Sequence, residues 1–152
     1  MPYLTGKQFN EKYKDTEFYK ILQDNLTHYG FTYRQGLNID TNKFNPFRKC
    51  QFGGLYFTTI DHILSFSNYG NKISLVRIPD DANVYAEKYK FKADKIILSN
   101  ITYLSDFHKF SDASFCKMAV QHIIDALKYV KKQTEELCKL AVQQYGCILR
   151  II

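Results

Sequence analysis

Tryptophan is absent from this 152-residue chain, and other absences exclude more. The four cysteines, at 50, 116, 138 and 147, include no C-x-x-C pair. Histidines 28, 62, 108 and 122 show no H-x₃-H or mixed Cys/His spacing, so no metal site is expected. Gly53-Gly54 has no lysine after it, which rules out a phosphate-binding loop. No apolar run approaches the roughly 20 residues of a membrane span, and the opening MPYLTGKQFN lacks the apolar core of a signal peptide. These features predict a reducing, intracellular setting with free thiols, no membrane association and no cofactor.

What is present suits one domain, or one domain with a small appendage. Hydrophobic residues make up 45% and aromatics 16%, divided between 12 Phe and 12 Tyr, enough for a folded core. The net charge is +6. Lysines are dispersed, with tight groups only at Arg48-Lys49 and Lys131-Lys132, which reads mainly as a solvated basic surface. Tyr85 to Lys92 interleaves Tyr and Phe with Lys and would suit the stacking of single-stranded bases. An edge strand turning its lysines to water explains the same pattern and is favoured, so nucleic acid is not the expected partner.

The organising stretch is Gly36 to Thr59. It passes through Asn45-Pro46 and Arg48-Lys49, then enters Leu55-Tyr56-Phe57 through Gly53-Gly54. Adjacent glycines before a strand predict positive φ or close approach of another backbone. Thr59 is placed to cap a helix from Ile60 toward Asn68, stopped by Gly70. Around this stretch, Phe18–Leu22, Phe31–Tyr33, Lys72–Ile78, Val84–Ala86 and Phe91–Leu98 carry strand signals. Phe9 and Tyr13, four apart, would share a helical face.

From Ser105 the composition turns helical. Ser114–Val130 (SFCKMAVQHIIDALKYV) aligns with Glu136–Ile152 (ELCKLAVQQYGCILRII) at an offset of 22 residues (136 − 114), with Cys116/Cys138, Lys117/Lys139, Ala119/Ala141, Val120/Val142, Gln121/Gln143 and Leu127/Leu149 identical. The expectation is a two-unit helical repeat over 105–152, with Cys138, Ala141, Val142 and Tyr145 as a buried stripe and Cys116 and Cys138 at equal depth. The terminal Ile148, Leu149 and Ile152 are expected to be buried within a monomer, with Arg150 outward. The predicted fold class is α+β: a small mixed or antiparallel sheet domain with one or two helices over 1–104, followed by a short all-α helical-repeat tail.

Two sets of residues carry a resemblance. Leu127–Val130, Gln133-Thr134, Glu136, Cys138, Ala141-Val142 and Gly146 resemble a tandem repeat of mimivirus-type giant DNA viruses. His28, Gly30-Phe31, Tyr33, Gly36-Leu37-Asn38, Asn45-Pro46, Cys50 and Gly53–Thr58 are similar to a domain that opens uncharacterised and ankyrin-repeat proteins of the same viruses. This implies a viral, non-enzymatic protein-interaction module acting in the host cell cytoplasm on a host or viral protein. A second resemblance lies in Phe52–Phe66, which looks like the glycine–aromatic–Thr-Thr strand and helix of ADP-ribosyltransferase-like domains. It implies an enzyme or inactive relic. In that reading His28 or Arg34 contacts a dinucleotide, and Tyr56, Thr58 and Thr59, beside Gly53 and Gly54, line the pocket. The chemistry needs a carboxylate, and Glu87 is the glutamate available before the helices. The interaction module is favoured. Cys50, beside Arg48-Lys49, is the thiol whose neighbours would depress its pKa, but packing under the glycine turn is the favoured reading of it.

Overall fold

The computed structural model describes residues 3–46 and 53–144, with backbone only at 124 and 125. The chain divides into two compact units, Met1–Ile101 and Thr102–Ile152. In the first, β1 (Leu4–Thr5) leads into α1 (Gly6–Lys12), followed by β2 (Phe18–Leu22), β3 (Thr27–His28), β4 (Phe31–Thr32), β5 (Gly36–Ile39) and β6 (Leu55–Thr59). A 3₁₀ turn (Ile63–Tyr69) precedes β7 (Lys72–Arg77), β8 (Asn83–Ala86), β9 (Phe91–Ala93) and β10 (Lys95–Tyr103), the last running across the division between the units.

Eight strands form one antiparallel sheet in the order β1-β8-β9-β6-β2-β7-β10-β5, while β3 and β4 make a separate hairpin. That hairpin closes through Tyr29-Gly30, both at positive φ (49° and 78°), the pair of conformations a two-residue type I′ turn needs. Strand β2 is buried at all five positions, including its lysine. It pairs with β7 from Phe18↔Val76 to Leu22↔Lys72, but with β6 only at Phe18↔Thr59 and Tyr19↔Thr58. Beyond Tyr19 the two strands part.

One face of the sheet is closed by α1. Thr5 and Gln8 form a reciprocal capping box, Gln8 N–H donating to Thr5 Oγ1 at 3.1 Å and Thr5 N–H to Gln8 Oε1 at 2.9 Å. The helix thereby drives Phe9 into the sheet, where its ring lies 5.0 Å from Phe18, 5.8 Å from Phe57 and 5.6 Å from Phe91. Phe57 and Phe91 stack on each other at 5.5 Å. Mostly edge-to-face rings at these separations attract beyond their buried area.

Several expectations need correction. The sheet is large rather than small, and the unit beyond it is not a helical-repeat tail. In that second unit, α2 (Ala113–His122) and α3 (Glu135–Gln144) are joined through a 3₁₀ turn (Ile124–Tyr129) and bury different sets of side chains. α2 buries Phe115, Cys116, Ala119 and Val120; α3 buries Leu137 and Ala141, leaves Cys138 half-buried and exposes Val142. Phe110 supplies the reason: its ring meets Phe107, Phe115 and Tyr129, and its carbonyl accepts from the Cys116 thiol at 3.0 Å. Among the described residues no such aromatic cluster engages α3, so similar sequences sit in dissimilar surroundings. Tyr145, Gly146 and the terminal Cys147–Ile152 lie outside the described residues, as do Arg48, Lys49 and Cys50.

Thr59 does not cap an α-helix. It ends β6, its carbonyl accepts from His62 N–H at 3.1 Å, and the segment beyond is the 3₁₀ turn. Nor is Tyr85–Lys92 an edge. β9 has β8 on one side and β6 on the other, and Lys92 is fully buried. Its stem is covered and its ammonium lies 5.7 Å from the Tyr85 ring centre and 5.9 Å from that of Tyr56, so aromatic faces replace the water expected around it.

The ring cluster makes Phe9 the side chain on which closure of the sheet most depends. Phe9→Ala is expected to cost about 3–5 kcal/mol in urea unfolding, whereas Val142→Ala on exposed α3 should change stability by less than ~0.5 kcal/mol.

Candidate functional site

Where β2 and β6 part, a cavity of about 420 Å³ opens. Its walls are β2 from Tyr19 to Leu22, the β3–β4 hairpin, Asp40 and Asn42 after β5, Gly53-Gly54 and the following Leu55 to Thr58 of β6, and Ile63, Phe66 and Tyr69 of the 3₁₀ turn. A strand that leaves its neighbour strands backbone groups that need other partners. Here Lys20 Nζ donates to the Tyr56 carbonyl at 2.5 Å, while its ammonium lies 4.7 Å from the Tyr33 ring centre.

The glycine pair shapes the other wall. Gly53 sits at φ 101°, and a Cβ there would come within 2.4 Å of the Lys43 carbonyl; its own carbonyl accepts from Asn45 N–H at 2.8 Å. The following Gly54 lies against the Lys92 stem, and its N–H donates to Asp40 Oδ2 at 2.8 Å. Asp40 Oδ1 accepts from Asn42 N–H at 3.1 Å, so both oxygens of this carboxylate are engaged in closing the loop.

Of the residues singled out from sequence, His28, Gly53, Gly54, Tyr56 and Thr58 line this cavity; Arg34 and Thr59 do not. The exposed Arg34 donates through Nε to the Leu37 carbonyl at 3.1 Å, in a turn that Asn38 closes by accepting Arg34 N–H and donating to the carbonyl of Arg34. Thr58 is buried, and its hydroxyl donates to the Tyr89 carbonyl at 2.6 Å. Tyr56 presents its ring to Lys90 Nζ, 4.4 Å from the centroid. Glu87 does not line the cavity; its carboxylate is almost wholly buried, with Lys90 Nζ 3.9 Å away.

Burial, then the charge of Lys90, pushes the Lys20 ammonium down to about 7. His28 is pushed below its ordinary value by burial and then by Lys20. A neutral ring is what its setting fits, because Gln23 Nε2 lies 3.2 Å from His28 Nδ1, which can then accept. Tyr33 is pushed well up, by burial first and then by Asp40. Lys20, Tyr33, Asp40 and Lys90 were not among the residues expected from sequence. Lys20 had a signal: it is the one charge within the run Phe18-Tyr19-Lys20-Ile21-Leu22. Among the described residues no group of His, Cys, Asp and Glu could hold a metal ion, and no helix is long and apolar enough to cross a membrane.

No family model and no solved structure matches the chain. It is similar to proteins of Acanthamoeba polyphaga mimivirus that are named as ankyrin repeat proteins. With R229 it is 33% identical over 112 residues, covering 63% of this chain and 36% of that protein. With R868 the identity is 39% over 66 residues (42% and 33%), and with R896 it is 32% over 95 residues (51% and 29%). The chain therefore spans about a third of the length of these curated relatives and is related to giant-virus proteins. The similarity to R229 covers 63% of this chain, more than the Thr102–Ile152 unit could supply, so it includes sheet-forming sequence. An ankyrin repeat is a turn with two helices in about 33 residues, so this shared part has another architecture.

Two consequences can be measured. Gly53→Ala should cost on the order of 1 kcal/mol or more in denaturant unfolding. The second concerns Lys20. The unfolded chain keeps its lysine proton to about 10.5, while the folded chain releases it near 7. Between those values the unfolded state holds more protons, so stability rises with pH, by at most about 1.4 kcal/mol per unit. Unfolding measured from pH 7 to 9.5 should show this rise, and Lys20→Met should remove it.

Proposed function

We propose that the chain is a non-enzymatic recognition module of a giant virus, acting on a host or viral protein in the infected cell, with the cavity between β2 and β6 as its recognition site. The observation that carries this reading is the rim of the cavity. Tyr29 and Tyr69 stand exposed there, at 79% and 47%, on either side of His28, whose ring lies 4.3 Å and 5.9 Å from theirs. Exposed aromatics around an apolar hollow are costly in water and are characteristic of protein contact sites. The relatives are named as ankyrin repeat proteins; the part shared with this chain is not itself such a repeat, but in a protein that carries repeats of a kind known to present surfaces to partners it fits the same reading.

A second reading is an ADP-ribosyltransferase-like enzyme or its inactive relic. The cavity's position beside Gly53–Thr58, with His28 on its wall, speaks for it. The carboxylates speak against it. Asp40, the one carboxylate lining the cavity among the described residues, has both oxygens engaged, and Glu87 is buried toward Lys90.

Affinity capture from infected host cells, wild type against Tyr29→Ala/Tyr69→Ala, separates the two. The recognition reading expects the variant to keep its melting temperature, lose the captured partner by at least about tenfold, and turn over no NAD before or after substitution. NAD hydrolysis that disappears with His28→Ala would overturn it in favour of the enzyme.

A further inference from the structure

We propose that Lys20 is an imine-forming lysine: its buried amine, on the wall of the cavity where β2 leaves β6, captures a small aldehyde or ketone whose aromatic or apolar body lies among the cavity's rings. This shares with the recognition reading only the cavity itself.

Lys20 is 8% exposed, and among the described residues no carboxylate lies within 4 Å of its ammonium. A buried lysine without a counter-charge is destabilised as a cation and favoured as a neutral amine. Its two close partners, the Tyr56 carbonyl and the Tyr33 ring face, hold the nitrogen in place without neutralising it. A second cation lines the same cavity, since Lys90 lies across the Tyr56 ring. Desolvation beside another cation is the usual way of activating a lysine toward carbonyl carbon. The depressed Lys20 proton affinity, lowered by burial first and then by the charge of Lys90, agrees, since it favours the neutral amine over the ammonium of an ordinary lysine.

The walls select the ligand. Phe31, Tyr33, Tyr56 and Phe66 offer flat apolar surface, and His28 supplies a neutral imidazole able to move a proton. The Lys20 lone pair attacks the carbonyl carbon, and the carbonyl π electrons pass to oxygen. A proton moves from nitrogen to that oxygen. Loss of the hydroxyl as water, with the second nitrogen proton, leaves C=N; one amine and one carbonyl give one imine and one water. No oxidant or reductant is involved.

Full-length protein at pH 7 is treated with benzaldehyde and sodium cyanoborohydride, whose hydride fixes any imine as a benzylamine, and the sites are read by peptide mass mapping. Lys20 should be modified at least about tenfold faster than the surface lysines, should lose this preference in 8 M urea, and should slow sharply at pH 5.5. The native wild-type pattern carries the test, so no variant need fold. Labelling spread evenly over the lysines, or an unlabelled Lys20 in folded protein, would overturn the proposal whatever partner the module captures.

Discussion

The bond from the Lys20 side chain to the Tyr56 carbonyl sits where the sheet changes from continuous to divided. On one side, β2 is held to β7 along its length; on the other, it accompanies β6 for two residue pairs and then leaves it. A hydrogen bond from a charged donor to a carbonyl contributes about 1.5–3 kcal/mol. An apolar residue at position 20 could fill the space but could not donate to that oxygen. A lysine can, because its stem packs like an aliphatic chain and its head reaches across the gap. The cavity results from the same geometry, as the space that two diverging strands leave and that the β3–β4 hairpin roofs without filling.

Strand β6 is the second element of this arrangement, and its residues are chosen by what lies on either side. Tyr56 offers its carbonyl to Lys20 and its ring to Lys90, with the buried Lys92 a little farther off. Three lysines around one strand would repel one another in an apolar setting. Aromatic faces and the Glu87 carboxylate offset part of that repulsion, and the Lys20 proton affinity absorbs part of the rest. The entry to the strand is equally constrained. Gly53 must approach the Lys43 carbonyl and Gly54 the Lys92 stem, and Asp40 ties the second glycine to the loop. Cavity, loop and buried charges are parts of one packing solution.

Much of the sheet was legible in the sequence because its strands are short, aromatic and bounded by turn residues. Phe18–Leu22 appears with the bounds read from sequence, and the glycine pair before Leu55 has the close approaches its position implied. What could not be read were properties of neighbours distant in the chain. Lys92 resembles an edge blocker until β8 and β6 are seen on both sides of it. Thr59 resembles a helix cap, but its carbonyl closes a turn to His62 and the chain tightens into 3₁₀. The 22-residue self-similarity is real in the letters, yet Phe110 and its neighbours engage α2 and not α3, so Cys116 and Cys138 differ in depth. Five of the seven candidate site residues line the cavity, since they fall on the hairpin, on β6 and in the glycine pair just before it. Arg34 does not line it, because the Asn38 side chain bonds its backbone in an outward turn.

Everything at the parting of the sheet turns on Lys20 being a buried lysine with no carboxylate within 4 Å among the described residues. The most direct measurement is its own titration, tracked through the Lys20 ¹³Cε chemical shift from pH 5 to 11 and assigned by comparison with Lys20→Arg. The predicted midpoint lies near 7, well separated from the bulk of the lysines. A midpoint at the ordinary lysine value of about 10.4 would mean a solvated or ion-paired ammonium, and would contradict both the packing described and the cavity built on it.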